Sequence, residues 1–262
     1  MADTEDDVVL YEVVEQHIGL VTLNRPAKRN AVNGAVARSL DAIVKRTETD
    51  PAIWAVVITS AEGPTFCAGA DLAEVAAGRA DELSTPDGGF AGFVEAKRVK
   101  PWIAAVKGSA LGGGLEISLA CDLRVVSTET VVGLPEVKRG LIAGAGGIYR
   151  LPRQLPRAIA LEMIATGEPI DAARAEALGL VNRVVPAEQV LESALGLAKA
   201  ICANAPIAVR ESLQVARLAA EVPEEVSITA TRQAFDRLVV SEDFAEGPRA
   251  FVEKRAPRWT GR

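Results

Sequence analysis

The sequence predicts an α/β fold that passes into a helical region toward its C-terminus. Three observations carry this expectation: a β-rich hairpin at the start, short β-branched runs alternating with helical periodicity as far as about residue 144, and the near loss of strand signal beyond it. Residues 8–15 (VVLYEVVE) and 18–24 (IGLVTLN) read as the hairpin, turning at Gln16 and His17. Val36, Leu40, Ile43, Val44 and Thr47 then recur at helical spacing, with Asn33 as a cap and Asp50-Pro51 as the stop. Residues 53–59 (IWAVVIT) suit a strand covered on both faces, and 103–106 and 122–127 read as further strands.

Between them, 76–92 has turn residues and little periodicity, which predicts a mobile loop at a site. A helix is expected to begin at Gly112-Gly113-Gly114. Beyond 144 the strand signal is confined to 181–185, reached through Gly179 as a helix C-cap, and 171–178, 188–204, 207–220 and 224–240 read as helices. The expected division is a core over 1–200 and a helical region over 201–262 that packs on the core or on another subunit.

Composition removes several function classes. A net charge of −6 disfavours a nucleic-acid partner, which needs concentrated Lys and Arg. Cys67, Cys121 and Cys202 form no paired framework and read as reduced thiols. Residues 1–7 lack the basic and apolar regions of a signal peptide, and no uncharged apolar run reaches about 20 residues, so a cytoplasmic protein without membrane contact is expected. The single histidine, His17, sits in a predicted turn; histidine-based nucleophilic catalysis and histidine metal sites are not expected.

Carboxylates and backbone groups remain. The chemistry-bearing residues concentrate in Phe66–Asp71 (FCAGAD), Ala110–Glu116 (ALGGGLE) and Gly133–Glu136 (GLPE), with Gly144–Gly147 (GAGG) close behind. No stretch fits a P-loop, a dinucleotide fingerprint or a nucleophile elbow. Glycines at a helix start let a ligand approach the backbone and leave N–H groups free at the positive end of the helix dipole. Glu116 in the first turn and Glu136 twenty residues on, with room between for one helix, one strand and a return to the same end of the sheet, could move protons beside a carbonyl held there. Equally, glycines serve tight turns and a first-turn glutamate suits the dipole without catalysis.

In order and spacing, these segments resemble the crotonase (enoyl-CoA hydratase/isomerase) superfamily. LNRPAKRNAV (23–32), TGEPIDAARAEALGLVNRVVP (166–186) and FVEKR (251–255) extend the resemblance over nearly the whole chain. It implies a spiral of ββα units with a C-terminal helical region that builds trimers, commonly paired into hexamers. It also implies an acyl-CoA thioester substrate, with coenzyme A part of the substrate and no separate cofactor or metal. The N–H groups of Ala70 and Gly113 would form the oxyanion hole, Glu116 would activate water, Glu136 would protonate C2 with a raised pKa, and the N–H of Gly144 would hold water or substrate. Ala27, Lys28, Ala68 and Ala70 match coenzyme A contacts; Phe235 and Lys254 match positions that reach a neighbouring subunit's nucleotide. Departures are Ala73, where many members carry a phosphate-binding lysine, and Ala143, where proline is frequent.

Having both acids implies a hydratase, a lyase adding water across the C2=C3 bond of a trans-2-enoyl-CoA. A narrower likeness to carnitinyl-CoA dehydratases lies in GGFAGF (88–93), SED (241–243) and the ending EGPRAFVEKRAPRWTGR. The alternatives are therefore a dehydratase of that type or an acyl-CoA-binding member of the fold without catalysis. The walls of the acyl pocket are expected in the 76–100 region.

Overall fold

A computed structural model describes residues 8–262; the segment 1–7, on which the leader argument rests, lies outside the described residues. β1 (Val9–Glu15) and β2 (Ile18–Leu23) pair antiparallel about Gln16 and His17. His17 takes φ 69°, stacks on Trp54 with ring centroids 3.5 Å apart, and donates from Nδ1 to Ala52 O at 2.8 Å, a packing role. α1 (Gly34–Thr49) starts where Asn33 Oδ1 accepts the Val36 N–H at 3.0 Å and ends at Asp50, burying Val36, Leu40, Val44 and Thr47. Its last carbonyls are capped by the buried Lys100, whose Nζ donates to Thr47 O and to Asp50 O.

Three ββα turns follow. The first is β3 (Ala55–Ser60), β4 (Thr65–Cys67) and α2 (Leu72–Ala76). A small hairpin, β5 (Ser84–Thr85) with β6 (Gly89–Phe90), separates it from β7 (Trp102–Val106), β8 (Ser109–Leu111) and α3 (Gly113–Ala120). Then come β9 (Leu123–Ser127), β10 (Val131–Gly133), a 3-10 turn over Pro135–Arg139 and α4 (Gly147–Gln154). α5 (Arg157–Thr166), β11 (Ile170–Asp171), α6 (Ala172–Ala177) and β12 (Arg183–Val185) close the core. The chain ends in α7 (Val190–Cys202), α8 (Pro206–Ala219), α9 (Glu224–Val239) and α10 (Glu242–Val252).

Each turn of the spiral gives its first strand to one sheet and its second to another. The larger sheet runs β1-β2-β3-β7-β9-β12, parallel from β2 onward. The smaller runs β11-β10-β8-β4, with β4, β8 and β10 parallel and in register at Cys67–Ala110–Val132. The ends of three parallel neighbours lie side by side at the strand spacing of about 4.8 Å. The residues that follow them, Ala70, Gly113 and Glu136, therefore meet although they are distant in sequence.

Two buried clusters cover the larger sheet. On one face Val56, Ile58, Phe66, Phe93, Trp102, Ala104, Leu115 and Ile117 form the main core; on the other, Val190, Ala194 and Ala198 of α7 cover Ile18, Leu20, Val57, Ile103 and Val125. α7 runs through residue 200, and the chain leaves the sheet only after Cys202. Among the described residues no single helix is long and apolar enough to cross a bilayer.

Four expectations are corrected. The 76–92 segment is folded: a 3-10 turn (Ala80–Leu83) and the β5–β6 hairpin bury Leu83 and Gly89. Between Glu116 and Glu136 lie one helix and two strands, since β10 is a second short strand. Beyond 144, β11 joins β12 as strand, and α4 and α5 fill 147–166. The cap of α6 is Leu178, with Gly179 just beyond it at φ 76° and Leu180 N–H donating to Ala175 O, the arrangement that glycine permits.

Candidate active site

The ends of β4, β8 and β10 open into a cavity of about 740 Å³. Ala68, Ala70, Gly113, Glu116, Glu136 and Gly144 all line it.

Its polar floor is built from backbone. Gly113 is the first residue of α3, and its N–H has no acceptor within the helix. Neither this N–H nor that of Ala70 donates to a protein group among the described residues. The two donors are held together closely: a Cβ on Gly69, which adopts φ 90°, would lie 2.8 Å from the Gly113 nitrogen. The Ala70 side is pinned from the N-terminal element. Val32 N–H donates to Gly69 O and Asp71 N–H to Val32 O, both at 2.8 Å, while Ala68 N–H donates to Arg29 O at 3.0 Å. Arg25, buried, reaches Asp71 Oδ2 at 3.3 Å.

Two carboxylates face this floor. Glu116 is only 3% exposed, and its Oε1 accepts the Gly147 N–H at 2.8 Å. Burial pushes its carboxyl up to about 7; the neighbouring Glu136 charge adds to the rise and the Gly147 N–H opposes it. Glu136 sits over Gly112, where a Cβ would lie 2.9 Å from Glu136 Oε1. Burial raises its pKa as well, partly offset by its own backbone N–H and by Arg139. Glu136 Oε2 is buried and accepts no hydrogen bond. A raised pKa was expected of Glu136; the structure raises both groups, because α3 carries Glu116 into the core.

The remaining expected residues are placed differently. The Gly144 N–H donates to Ile142 O at 2.8 Å, which occupies it. Ala27 and Lys28 form an exposed 3-10 turn (Pro26–Lys28) beside Arg29, which does line the cavity. Phe235, 55% exposed, packs edge-on against Phe244, and Lys254 is exposed at the end of α10; neither belongs to the cavity of its own chain. Ala73 lies on α2, and Ala143 is buried under Gly147. Phe90 and Glu95 line the wall within the 76–100 region where it was expected, though neither was singled out from the sequence. Arg29 was not singled out from the sequence; its one signal was the LNRPAKRNAV element that contains it. Among the described residues no group of three or more His, Cys, Asp or Glu could hold a metal ion.

Two unengaged N–H donors and two protonatable carboxylates lining one cavity are the parts needed to polarise a carbonyl and to move protons next to it. The chain belongs to the enoyl-CoA hydratase/isomerase family, whose sequence model matches residues 14–262. It is 42% identical to the mevalonyl-coenzyme A hydratase of Aspergillus fumigatus, over 93% of this chain and 91% of that protein. The crystal structure of an enoyl-CoA hydratase from Mycobacterium tuberculosis superposes with a TM-score of 0.93 at 39% identity, covering 98% of this chain and 100% of the other. That of a carnitinyl-CoA hydratase from Mycobacterium avium gives 0.77 at 46% identity, covering 98% and 100%. The crotonase fold and the acyl-CoA thioester substrate class expected from the sequence follow from this membership.

Proposed function

We propose that the protein is a hydratase of trans-2-enoyl-CoA thioesters, adding water reversibly across C2=C3 to give a 3-hydroxyacyl-CoA. One observation carries this reading: a buried carboxylate, Glu116, a half-buried one, Glu136, and two unengaged N–H donors share a single cavity. The thioester oxygen sits between the Ala70 and Gly113 N–H groups, which stabilise negative charge as it develops; one such donor is worth about 3–4 kcal/mol of barrier. Water lies between the carboxylates. Glu116 accepts its proton as the oxygen attacks C3, electrons move to the thioester oxygen, and Glu136 delivers its proton to C2. Proton exchange between the two acids and solvent resets the pair, and the same steps reversed give dehydration.

The names of the three similar proteins all describe a CoA-linked hydratase, and two of them differ in the acyl group. This supports shared chemistry with a variable tail. The helices after Cys202 expose Val226, Ile228, Phe235, Val240, Phe251 and Val252, which supports a homotrimer, or a hexamer of two trimers, assembled through residues 201–262. Phe235 and Lys254 would then reach a neighbour's coenzyme A. Three free cysteines support a reducing, cytoplasmic setting.

The reading is tested by following loss of the conjugated thioester absorbance of crotonyl-CoA. Wild type should consume it rapidly, and Glu136→Gln should be slower by about 10²–10⁴-fold. Tight binding of crotonyl-CoA without turnover would instead establish a binding protein.

The pH dependence provides a second test. The reaction needs one proton on the pair, so kcat/KM should be bell-shaped, and the limb near pH 7, where Glu116 titrates beside an ionised Glu136, is the alkaline one. In Glu136→Gln that neighbouring charge is gone, so Glu116 should titrate at lower pH. A Glu116 titration unmoved by that substitution would show that the two groups do not interact.

A further inference from the structure

We propose that Arg150 is a positioning residue of the reaction: its guanidinium ties the loop before α4 to the cavity wall that carries Phe90, and so sets where the Glu116 carboxylate stands; this rests on the hydratase reading above. Glu116 is held by the N–H of Gly147, the first residue of α4. That N–H has no acceptor within the helix, so its direction is set by the residues before it, Ala145 and Gly146. Arg150 lies about one turn further along α4 and folds back over them. Its backbone N–H donates to Gly146 O at 2.8 Å and its Nη1 to Ala145 O at 3.0 Å. The guanidinium presses on Gly146: a Cβ there would lie 2.0 Å from Arg150 Nη1, and φ is 117°, so glycine is required by both the contact and the backbone.

The other nitrogen of the fork reaches across. Arg150 Nη2 donates to Val94 O at 2.5 Å, and the buried Val94 donates its own N–H to Phe90 O at 3.3 Å. One side chain therefore joins two segments that line the cavity, 83–95 and 141–145. The planar fork reaches these carbonyls with two separate nitrogens, which a lysine cannot do. Among the described residues Arg150 has no ion-pair partner within 4.0 Å. Against the burial that raises the Glu116 carboxyl, its charge works to lower it, opposite to Glu136. The other charges around α3 are engaged elsewhere or lie on other walls. Cys67 of β4 is kept neutral by burial, which pushes its thiol up to about 12. Arg98 and Arg124 donate to Ala120 O and Ser118 O at the far end of the helix. Arg153 pairs with Glu221 at 2.6 Å, and Glu95 and Arg139 line the cavity from the hairpin and the 3-10 turn.

The experiment uses the purified full-length protein. Carbon NMR of protein labelled at its glutamate carboxyls follows the Glu116 titration, its signal identified by loss in Glu116→Gln, and kcat is read on crotonyl-CoA. Arg150→Gln should make Glu116 titrate about 0.5–1 pH unit higher. It should also lower kcat by about 10–100-fold with KM nearly unchanged. Arg150→Lys keeps the charge and loses the fork, so the titration should stay near that of wild type while kcat falls by about tenfold. Arg153→Gln, on the same helix but paired with Glu221, should change neither. An unmoved titration in Arg150→Gln, a wild-type rate in Arg150→Lys, or an equal shift in Arg153→Gln would each overturn the proposal and leave the hydratase reading standing. A shifted titration in a protein that turns over no enoyl-CoA would sink the hydratase reading alone.

Discussion

Glu116→Gln should lower kcat by about 10³-fold and at the same time make the protein more stable at pH 8. The first effect follows from loss of the base. The second follows from burial: the folded protein raises the Glu116 carboxyl from the ordinary 4.5 to about 7. Below pH 4.5 both folded and unfolded chains hold the proton, and the ionised carboxylate costs nothing. As the pH rises toward 7 the unfolded chain releases its proton first, so stability falls, and above 7 the full penalty is present. Glutamine keeps the shape and can still accept the Gly147 N–H, but carries no charge. The gain should be about 2–3 kcal/mol at pH 8, or roughly 5–10 °C in Tm, and near zero at pH 4. Thermal melts of both proteins at the two pH values read it directly. Equal melting temperatures at pH 8 would mean that Glu116 is not a strained, buried carboxylate.

Gly114→Ala should be nearly as damaging to turnover while leaving every acid in place. A Cβ at this position would lie 2.0 Å from Cys67 O and 2.7 Å from Cys67 C. Those atoms are backbone of β4 and cannot rotate aside, so α3 must move away from β4. Ala70 follows β4 and Gly113 begins α3, so the displacement separates the two oxyanion donors. The expected loss is about 10²–10³-fold in kcat, with overpacking costing about 1–3 kcal/mol of stability. Gly113→Ala is the control: its Cβ meets chiefly the Phe90 ring, which can turn, and comes no closer to backbone than 3.2 Å, at Gly69 Cα, so its loss should be smaller. Steady-state kinetics with the melting temperatures of both variants make the comparison. If Gly114→Ala matched wild type, the close approach of α3 to β4 would not be what sets the donor spacing.

The longer elements were legible because their periodicity extends over several turns. Val36, Leu40 and Val44 mark α1, and Val56–Ile58 and Ile103–Val106 mark central strands. The second sheet was not legible: Thr65–Cys67, Ser109–Leu111 and Val131–Gly133 are three residues each, too short to show alternation. α4 carries Pro152, and α5 reads RAIALEMIAT, largely apolar with little one-sided pattern, so neither announced itself. At the site, Glu116, Glu136 and the Gly112–Gly114 run could be picked out because glycine and acid motifs are local, while Ala70 and Gly113 as a donor pair came from the family resemblance. Phe90 and Glu95 could not, since their place depends on a hairpin folding back onto α3. The Gly144 N–H illustrates the opposite error, a donor assigned from its motif that the local backbone turn takes for itself.

Every residue that walls the cavity falls between Arg29 and Ala145, with Gly147 gripping Glu116 just beyond. The chain thus has a division of labour along its length. Each successive coil of the spiral adds one working group to a common rim, and the later residues stand outside it, with α7 covering the far face of the larger sheet. Substitutions in the β5–β6 hairpin can therefore reshape the cavity wall without disturbing the acids, and changes in the terminal helices leave that wall untouched. Diversification of this architecture proceeds by editing one coil at a time.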